Sequence, residues 1–270
     1  FPTKPAPFDY QGVVEDDLVD FTPEIRQMAI EAVEGFRLGP LYTPMMIADE
    51  NTRGLLFRPT GGGAASWTGA AVDPETGILY VPSFNRAGVI SFYSPQDGTL
   101  RYTHGAPEAQ RLSGNAGQAG PRMPQGLPLL KPPYSRMTAI DMNTGDHVWM
   151  TPLGNGDRIR NHPLLRDLDL PPLGGDGRGG PLLTKTLLFS ALSAGGTNGG
   201  PRLVGFDKAT GEELGSVDLP RGAIGTPMTY MVDGKQHIAL TIGGTPPELI
   251  SFALAEAGRD LAQVSGEGLY

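Results

Sequence analysis

A five-residue turn that returns at near-equal spacing constrains this chain more than any other feature. Asp73-Pro-Glu-Thr76-Gly77, Asp141-Met-Asn-Thr144-Gly145 and Asp207-Lys-Ala-Thr210-Gly211 all read D-x-x-T-G, at offsets of 68 and 66 residues. The pattern has a local cause. An Asp carboxylate accepts from backbone N–H groups two or three residues on, Thr adds a second short bond, and Gly takes the φ > 0 position that closes the turn. The second and third turns sit in near-copies of one hairpin, "MTAIDMNTGDHVWMTPLG" at 137–154 and "LVGFDKATGEELGSVDLP" at 203–220. One alternative is three unrelated hairpins with common turn chemistry. Near-constant spacing points instead to a repeat architecture, of which four-stranded propeller blades of roughly 40 to 50 residues are the nearest class. The longer spacing leaves room for excursions, and two are visible as loops by composition, 105–135 and 154–180. In propellers such insertions gather on one face and shape the site.

The rest of the chain supports an all-β reading with one helix. Residues 1–20 are Pro-rich and then acidic, an extended connector. A helix is predicted over 22–38: Thr22 caps it, Pro23 suits the first turn, and Glu24 favours the positive end. Ile25, Met28, Ala29, Ala32, Val33 and Phe36 fall on one face, and Gly39-Pro40 ends it. Strands are expected near 54–58, 68–72, 77–82, 88–93, 137–141, 146–150, 184–191, 202–207, 212–218, 226–232, 236–242 and 248–253. The connector and helix thus occupy 1–40 and the blades 41–270. Gly (39) and Pro (26) are abundant, but they punctuate strand-like runs such as "GILYVPSF" and "HIALTIGG", so they read as turn chemistry rather than low complexity.

Composition excludes several functions. A net charge of −8 without a Lys/Arg cluster argues against nucleic acid as a partner. With no cysteine, the chain has no disulfide framework, thiolate metal site, catalytic thiol or C-x-x-C-H haem attachment. No apolar run approaches the ~18 residues of a membrane span. Phe1 rather than Met opens the chain, which predicts a processed or excised polypeptide. None of His104, His147, His162 and His237 pairs at metal-ligand spacing. His147 and His237 read as surface residues. His162 lies in a long loop that suits a propeller face. Asp167, Asp169 and Asp176 in the same loop region read as solvated acids and turn formers before general bases. "GGDGRGG" at 174–180 lacks the ending of a phosphate loop and reads as the entry to an inner strand, "PLLTKTLLFSAL". Gly61-Gly62-Gly63 is not followed by a βαβ unit, and no G-x-S-x-G elbow is present.

A family enters on several motifs in order. The hairpin A-x-D-x-x-T-G-x-x-x-W, present as Ala139, Asp141, Thr144, Gly145 and Trp149, resembles the tryptophan-docking repeat of pyrroloquinoline quinone (PQQ)-dependent dehydrogenases. "GPLYTPMM" (39–46), "GGGAASWTGAAVDPETGILYVPS" (61–83), "RNHPLLRDLDLPPLG" (160–174) and "GTPMTYMVDGKQHIALTIGG" (225–244) resemble the C-terminal half of these enzymes, closest to the membrane glucose dehydrogenase-like branch. The resemblance implies an eight-bladed β-propeller with PQQ and Ca²⁺ at its axis, of which this chain covers about half the ring. It further implies a periplasmic oxidoreductase acting on an alcohol or aldose, with a quinone as electron acceptor. The family's catalytic Asp, metal ligands and the basic residue beside the quinone would lie upstream of Phe1, so no catalytic or metal-binding residue is assigned within the chain. One loop does carry over. Its family counterpart places a polar side chain and a Trp near the quinone, and here it reads Gly62-Gly63-Ala64-Ala65-Ser66-Trp67. Gly62, Gly63, Ser66 and Trp67 are therefore the expected cofactor-binding residues. Ser66 stands where the family has Asn, which shortens its reach, and glycines suit close backbone approach to a planar cofactor. The alternative makes Trp67 a blade-packing aromatic and the glycines a plain loop.

Half a ring leaves two blade faces uncovered, the Trp149 side of its hairpin being one candidate. The ring is then completed by the N-terminal half of the propeller or by another chain. The competing functions are a non-catalytic propeller-repeat binding or scaffold module, and an inactive truncated fragment.

Overall fold

A computed structural model describes residues 3–47, 53–60, 64–65, 67–93, 101–104, 121–177 and 179–253. In chain order the elements are β1 (Gly12–Val13), α1 (Pro23–Ala32), β2 (Phe36–Arg37), β3 (Gly39–Pro40), β4 (Gly54–Phe57), β5 (Ala64–Ala65), β6 (Ala71–Asp73), β7 (Ile78–Phe84), β8 (Gly88–Tyr93), β9 (Arg101–His104) and β10 (Ser135–Asp141). There follow β11 (His147–Pro152), α2 (Asp157–Arg160), β12 (Leu182–Leu183), β13 (Leu187–Leu192), β14 (Arg202–Asp207), β15 (Glu213–Asp218), β16 (Ala223–Val232), β17 (Lys235–Ile242) and β18 (Glu248–Ala253).

Among the described residues the strands make four principal sheets; the strands of the first two interleave along the chain, and the third and fourth follow in order. The first runs β2-β4-β8-β9, the second β5-β7-β10-β11 with β6 also on β7, the third β12-β13-β14-β15, and the fourth β16-β17-β18. β1 and β3 form a small separate pair. Ser135–Ile140 of β10 and Arg202–Phe206 of β14 are buried at every position. A strand sealed on both faces must have side chains packed on either side of its sheet. The second and third sheets share one apolar cluster built on Tyr80, Met137, Ala139, Leu188, Val204 and Phe206. The third and fourth share another through Leu203, Leu219 and Leu240. The first sheet instead buries Leu56 and Val89 against α1 and the loops carrying Leu127, Leu165 and Leu173.

The three D-x-x-T-G turns are conformational copies. In each the Gly N–H donates to the Asp carbonyl, at 2.8 Å (Gly77), 2.7 Å (Gly145) and 2.8 Å (Gly211). Each Asp side chain accepts from the residue two on: Glu75, Asn143 and Ala209. The glycines sit at φ 75°, 77° and 76°, where an L side chain is strained. Their equal spacing nevertheless misleads in one respect. The Asp73 turn joins β6 to β7 and the Asp141 turn joins β10 to β11, so these two belong to a single sheet. Only the step from Asp141 to Asp207 passes from one sheet to the same hairpin of the next.

Two further expectations are corrected. The helix predicted over 22–38 stops at Ala32. Thr22 caps it as expected, its Oγ1 accepting from the Ile25 N–H at 3.2 Å. The chain then turns through Gly35 (φ 79°), and Phe36 becomes strand, paired parallel with Gly54. Phe36 buries in either conformation, and strand pairing also satisfies its backbone. "PLLTKTLLFSAL" is not one inner strand but the hairpin β12–β13, closed by bonds from the Thr184 and Leu187 N–H groups. Short strands such as β5 and β9 carry too few residues for a pattern.

Candidate functional site

The direction of the strands sorts the connections. The three D-x-x-T-G turns lie at one end of the sheets. The loops 85–87, 153–181, 193–201 and 243–247 lie at the other, and both long excursions leave and rejoin the sheets there. Trp67 precedes β6 at this loop end. β6, β12 and β16 are the innermost strands of their sheets, and β12 touches both of the others. They bring Thr68, Gly180 and Thr226 together: Thr226 Oγ1 donates to the Thr68 carbonyl at 3.0 Å, beside Gly180. A side chain at Gly180 would collide with both threonines, so only Gly admits this approach. The Thr68 hydroxyl is buried with no partner among the described residues.

Trp67 itself is 85% exposed. Its indole lies open to solvent ahead of β6. Of the other expected cofactor positions, Gly62, Gly63 and Ser66 lie outside the described residues. Ala64 and Ala65 form β5 against Phe84 and Ser83, with Ala64 at φ 54°.

Beneath this loop lies a charged cluster that sequence reasoning missed. Tyr10 is held between two guanidinium groups, Arg58 at 4.5 Å and Arg136 at 4.3 Å from its ring centre. Arg58 is buried, bonds the Gly12 carbonyl and Asn85 Oδ1, and pairs with Asp17 at 2.7 Å. Arg136 pairs with Asp9 at 3.0 Å. Burial pushes the Asp9 carboxyl above its ordinary value, and the Tyr10 N–H, Arg136, Arg58 and the Ala64 N–H oppose that shift. No local pattern announces these contacts, because Asp9 and Arg136 lie 127 residues apart.

The loop acids and histidines behave differently from one another. Asp167 and Asp169 are exposed as expected. Asp176 is buried, its Oδ2 accepting from the Gly156 N–H at 3.0 Å and its carbonyl from Ser193; burial raises its pKa. It pins loops and does not face solvent. His162 is buried too, with Nδ1 accepting from the Leu164 N–H at 3.2 Å, so it serves its own loop rather than an open face. His237, on β17, stacks on Tyr230 of β16 at 5.1 Å. His147 reaches the Ala6 carbonyl at 2.9 Å. Among the described residues no three His, Cys, Asp or Glu side chains converge to hold a metal.

At the turn end, Trp149 is docked rather than uncovered, contrary to expectation. Its Nε1 donates to the Lys208 carbonyl of the third sheet at 3.2 Å, and Tyr80 Oη donates to the same oxygen at 3.0 Å. The indole covers Gly211, where a Cβ would fall 2.6 Å from the ring. Lys208 Nζ returns the contact by bonding Asp73 Oδ2 at 2.6 Å.

The profile of the PQQ glucose/ethanol/alcohol dehydrogenase β-propeller domain matches residues 1–238. The chain belongs to this family. Its fold is accordingly part of a PQQ-type β-propeller, the sheets being blades of an incomplete ring. Quinate/shikimate dehydrogenase (quinone) of Acinetobacter baylyi is 28% identical over 247 residues, which is 87% of this chain and 29% of that protein. Quinoprotein glucose dehydrogenase A of Acinetobacter calcoaceticus is 28% identical over 218 residues, 76% of this chain and 25% of that protein. Among solved structures, the quinohemoprotein alcohol dehydrogenase from Comamonas testosteroni aligns with 70% of the chain and 23% of its own, at a TM-score of 0.44 and 20% identity. The chain thus spans between a quarter and a third of the length of these two curated relatives.

Proposed function

We propose that this chain is the C-terminal part of a PQQ-dependent dehydrogenase that oxidises an alcohol or aldose and delivers the electrons to a quinone acceptor. The observation that carries the reading is the family match across 1–238, in a chain whose relatives are named for glucose and quinate oxidation. The residues present fit a planar cofactor in one respect: Trp67 offers an uncovered indole just ahead of β6. When bound, the quinone supplies the two-electron acceptor chemistry. Trp67 would supply an aromatic face for its ring. Ser66, Gly62 and Gly63 are the other residues that would hold it, Ser66 as a short hydrogen-bonding group and the glycines as backbone without side chains.

The described residues offer no metal-binding group of carboxylates, and the Ca²⁺ ligands and the catalytic base are assigned to the N-terminal half of the propeller or to another chain that completes the ring. The compartment that suits such an enzyme is the periplasm. No helix of the described residues is long and apolar enough to cross a membrane. The test is complementation. The chain, mixed with a separately produced N-terminal half, PQQ and Ca²⁺, should reduce a dye with glucose, ethanol or glycerol, and neither half should do so alone. Absence of PQQ binding by the reconstituted pair would leave a non-catalytic propeller module as the reading.

A further inference from the structure

The hairpins of the second and third blades match residue for residue, and the match exposes a missing ring. In the second blade one cross-strand row reads Tyr80–Ala139–Trp149. In the third blade the corresponding row reads Phe189–Gly205–Gly215. Both hairpins carry a register shift just after the middle member of the row, Ala139 in one and Gly205 in the other. Gly215 is therefore the third blade's counterpart of the docked Trp149. A Cβ built on Gly215 meets nothing within 4 Å, and its φ lies outside the left-handed region. Neither space nor backbone requires Gly there.

The volume that Trp149 fills in one blade is left as a groove in the next. It measures about 460 Å³ and lies between the third and fourth blades. Phe189, Leu203, Val217, Ile238 and Phe252 form its apolar walls, and Gly205 and Gly215 leave one side bare backbone. Thr184, Ser216 and Gln236 add polar groups to its lining. The size falls within the roughly 300 to 1,000 Å³ range of small-molecule sites, which share this apolar lining with a few polar groups. β15 is exposed at all six positions, so the groove is reached from solvent.

We propose that this groove is a binding site for a small bicyclic aromatic molecule of the indole type. The occupant's chemistry is specified by the neighbouring blade. There the same row holds an indole with its ring centre 5.7 Å from that of Tyr80, tilted by 39°. Phe189 stands where Tyr80 stands, and Phe252 adds a second aromatic wall. Aromatic pairs at such separations attract beyond the area they bury. The site lies between strands at the outer part of the blades, apart from Trp67, and does not depend on the quinone reading.

Indole itself is the probe, titrated into methyl-labelled protein. Saturable shifts of the Leu203, Val217 and Ile238 methyl resonances are expected, with methyls of the first blade such as Leu56 unmoved. Phe189→Ala should weaken binding severalfold, and Gly215→Trp should abolish it while raising the thermal midpoint. Wild-type protein that shows no saturable shift at these methyls overturns the proposal without recourse to any variant. Binding by a folded Gly215→Trp protein equal to that of wild type overturns it as well.

Discussion

Trp149 and Trp67 show how one residue type serves opposite ends of the same blade. Trp149 is half-buried, covers Gly211 and bonds Lys208, and Trp149→Ala should cost about 3 kcal/mol of stability, the low end for deleting a large aromatic. Trp149→Phe should recover most of that, because Tyr80 still satisfies the Lys208 carbonyl. Urea denaturation of the three proteins decides it; equal losses in both variants would place the effect in the hydrogen bond. Trp67, by contrast, has little to lose in the folded chain. Trp67→Ala should leave stability nearly unchanged and weaken PQQ in the reconstituted enzyme by roughly 0.5 to 1.5 kcal/mol, the worth of a ring contact beyond its area. Unaltered PQQ affinity would remove it from the site. Both tryptophans stood out in the sequence because each ends a motif of local spacing, though the expectation that the Trp149 side is uncovered did not hold. Asp9, Tyr10, Arg58 and Arg136 did not stand out, since their contacts join distant segments and each alone resembles any surface polar residue.

At the scale of elements, one ion pair links the Asp73 and Asp207 turns. The Lys208 ammonium, first among the causes, holds the Asp73 carboxyl below its ordinary value of 3.8. A carboxyl depressed in the folded state contributes stability that is present above 3.8 and lost as pH falls through the folded value. Lys208→Met should therefore lower the urea midpoint at pH 7 and have much less effect well below pH 3.8. A deficit of the same size at both pH values would mean that the lysine stem, not its charge, supplies the effect. The strands themselves were largely legible from alternation and turn residues, and most lie within two or three residues of where the pattern puts them. What the pattern missed was hierarchy. D-x-x-T-G specifies a tight turn equally well at either hairpin of a blade, so spacing alone placed the Asp73 turn one blade away from its true sheet-mate. The helix ran long in the sequence because Phe36 satisfies the apolar period whether or not the backbone stays helical.

For the whole molecule, the fourth blade carries an exposed face among the described residues. β16, β17 and β18 pack Leu240 and Phe252 against the third blade, while Ile224, Met228 and Leu249 are exposed, and Leu249 is 71% exposed. Pairing across the three strands puts Ile224, Thr241 and Leu249 in one row and Met228, Ala239 and Ser251 in another on the same face. Such a face marks an interaction surface or an aggregation liability. The chain alone should therefore self-associate in sedimentation, and Met228→Lys with Leu249→Lys should return it to monomer; a wild-type monomer would mean that this face needs no cover. The docking of Trp149 on Lys208 has a further consequence, in time rather than in energy. The two residues are 59 positions apart. A ribosome adding about 5 to 20 residues per second takes roughly 3 to 12 seconds between them. Through that interval each nascent chain carries a finished hairpin whose indole has no seat, and it is then that a chaperone has most to shield.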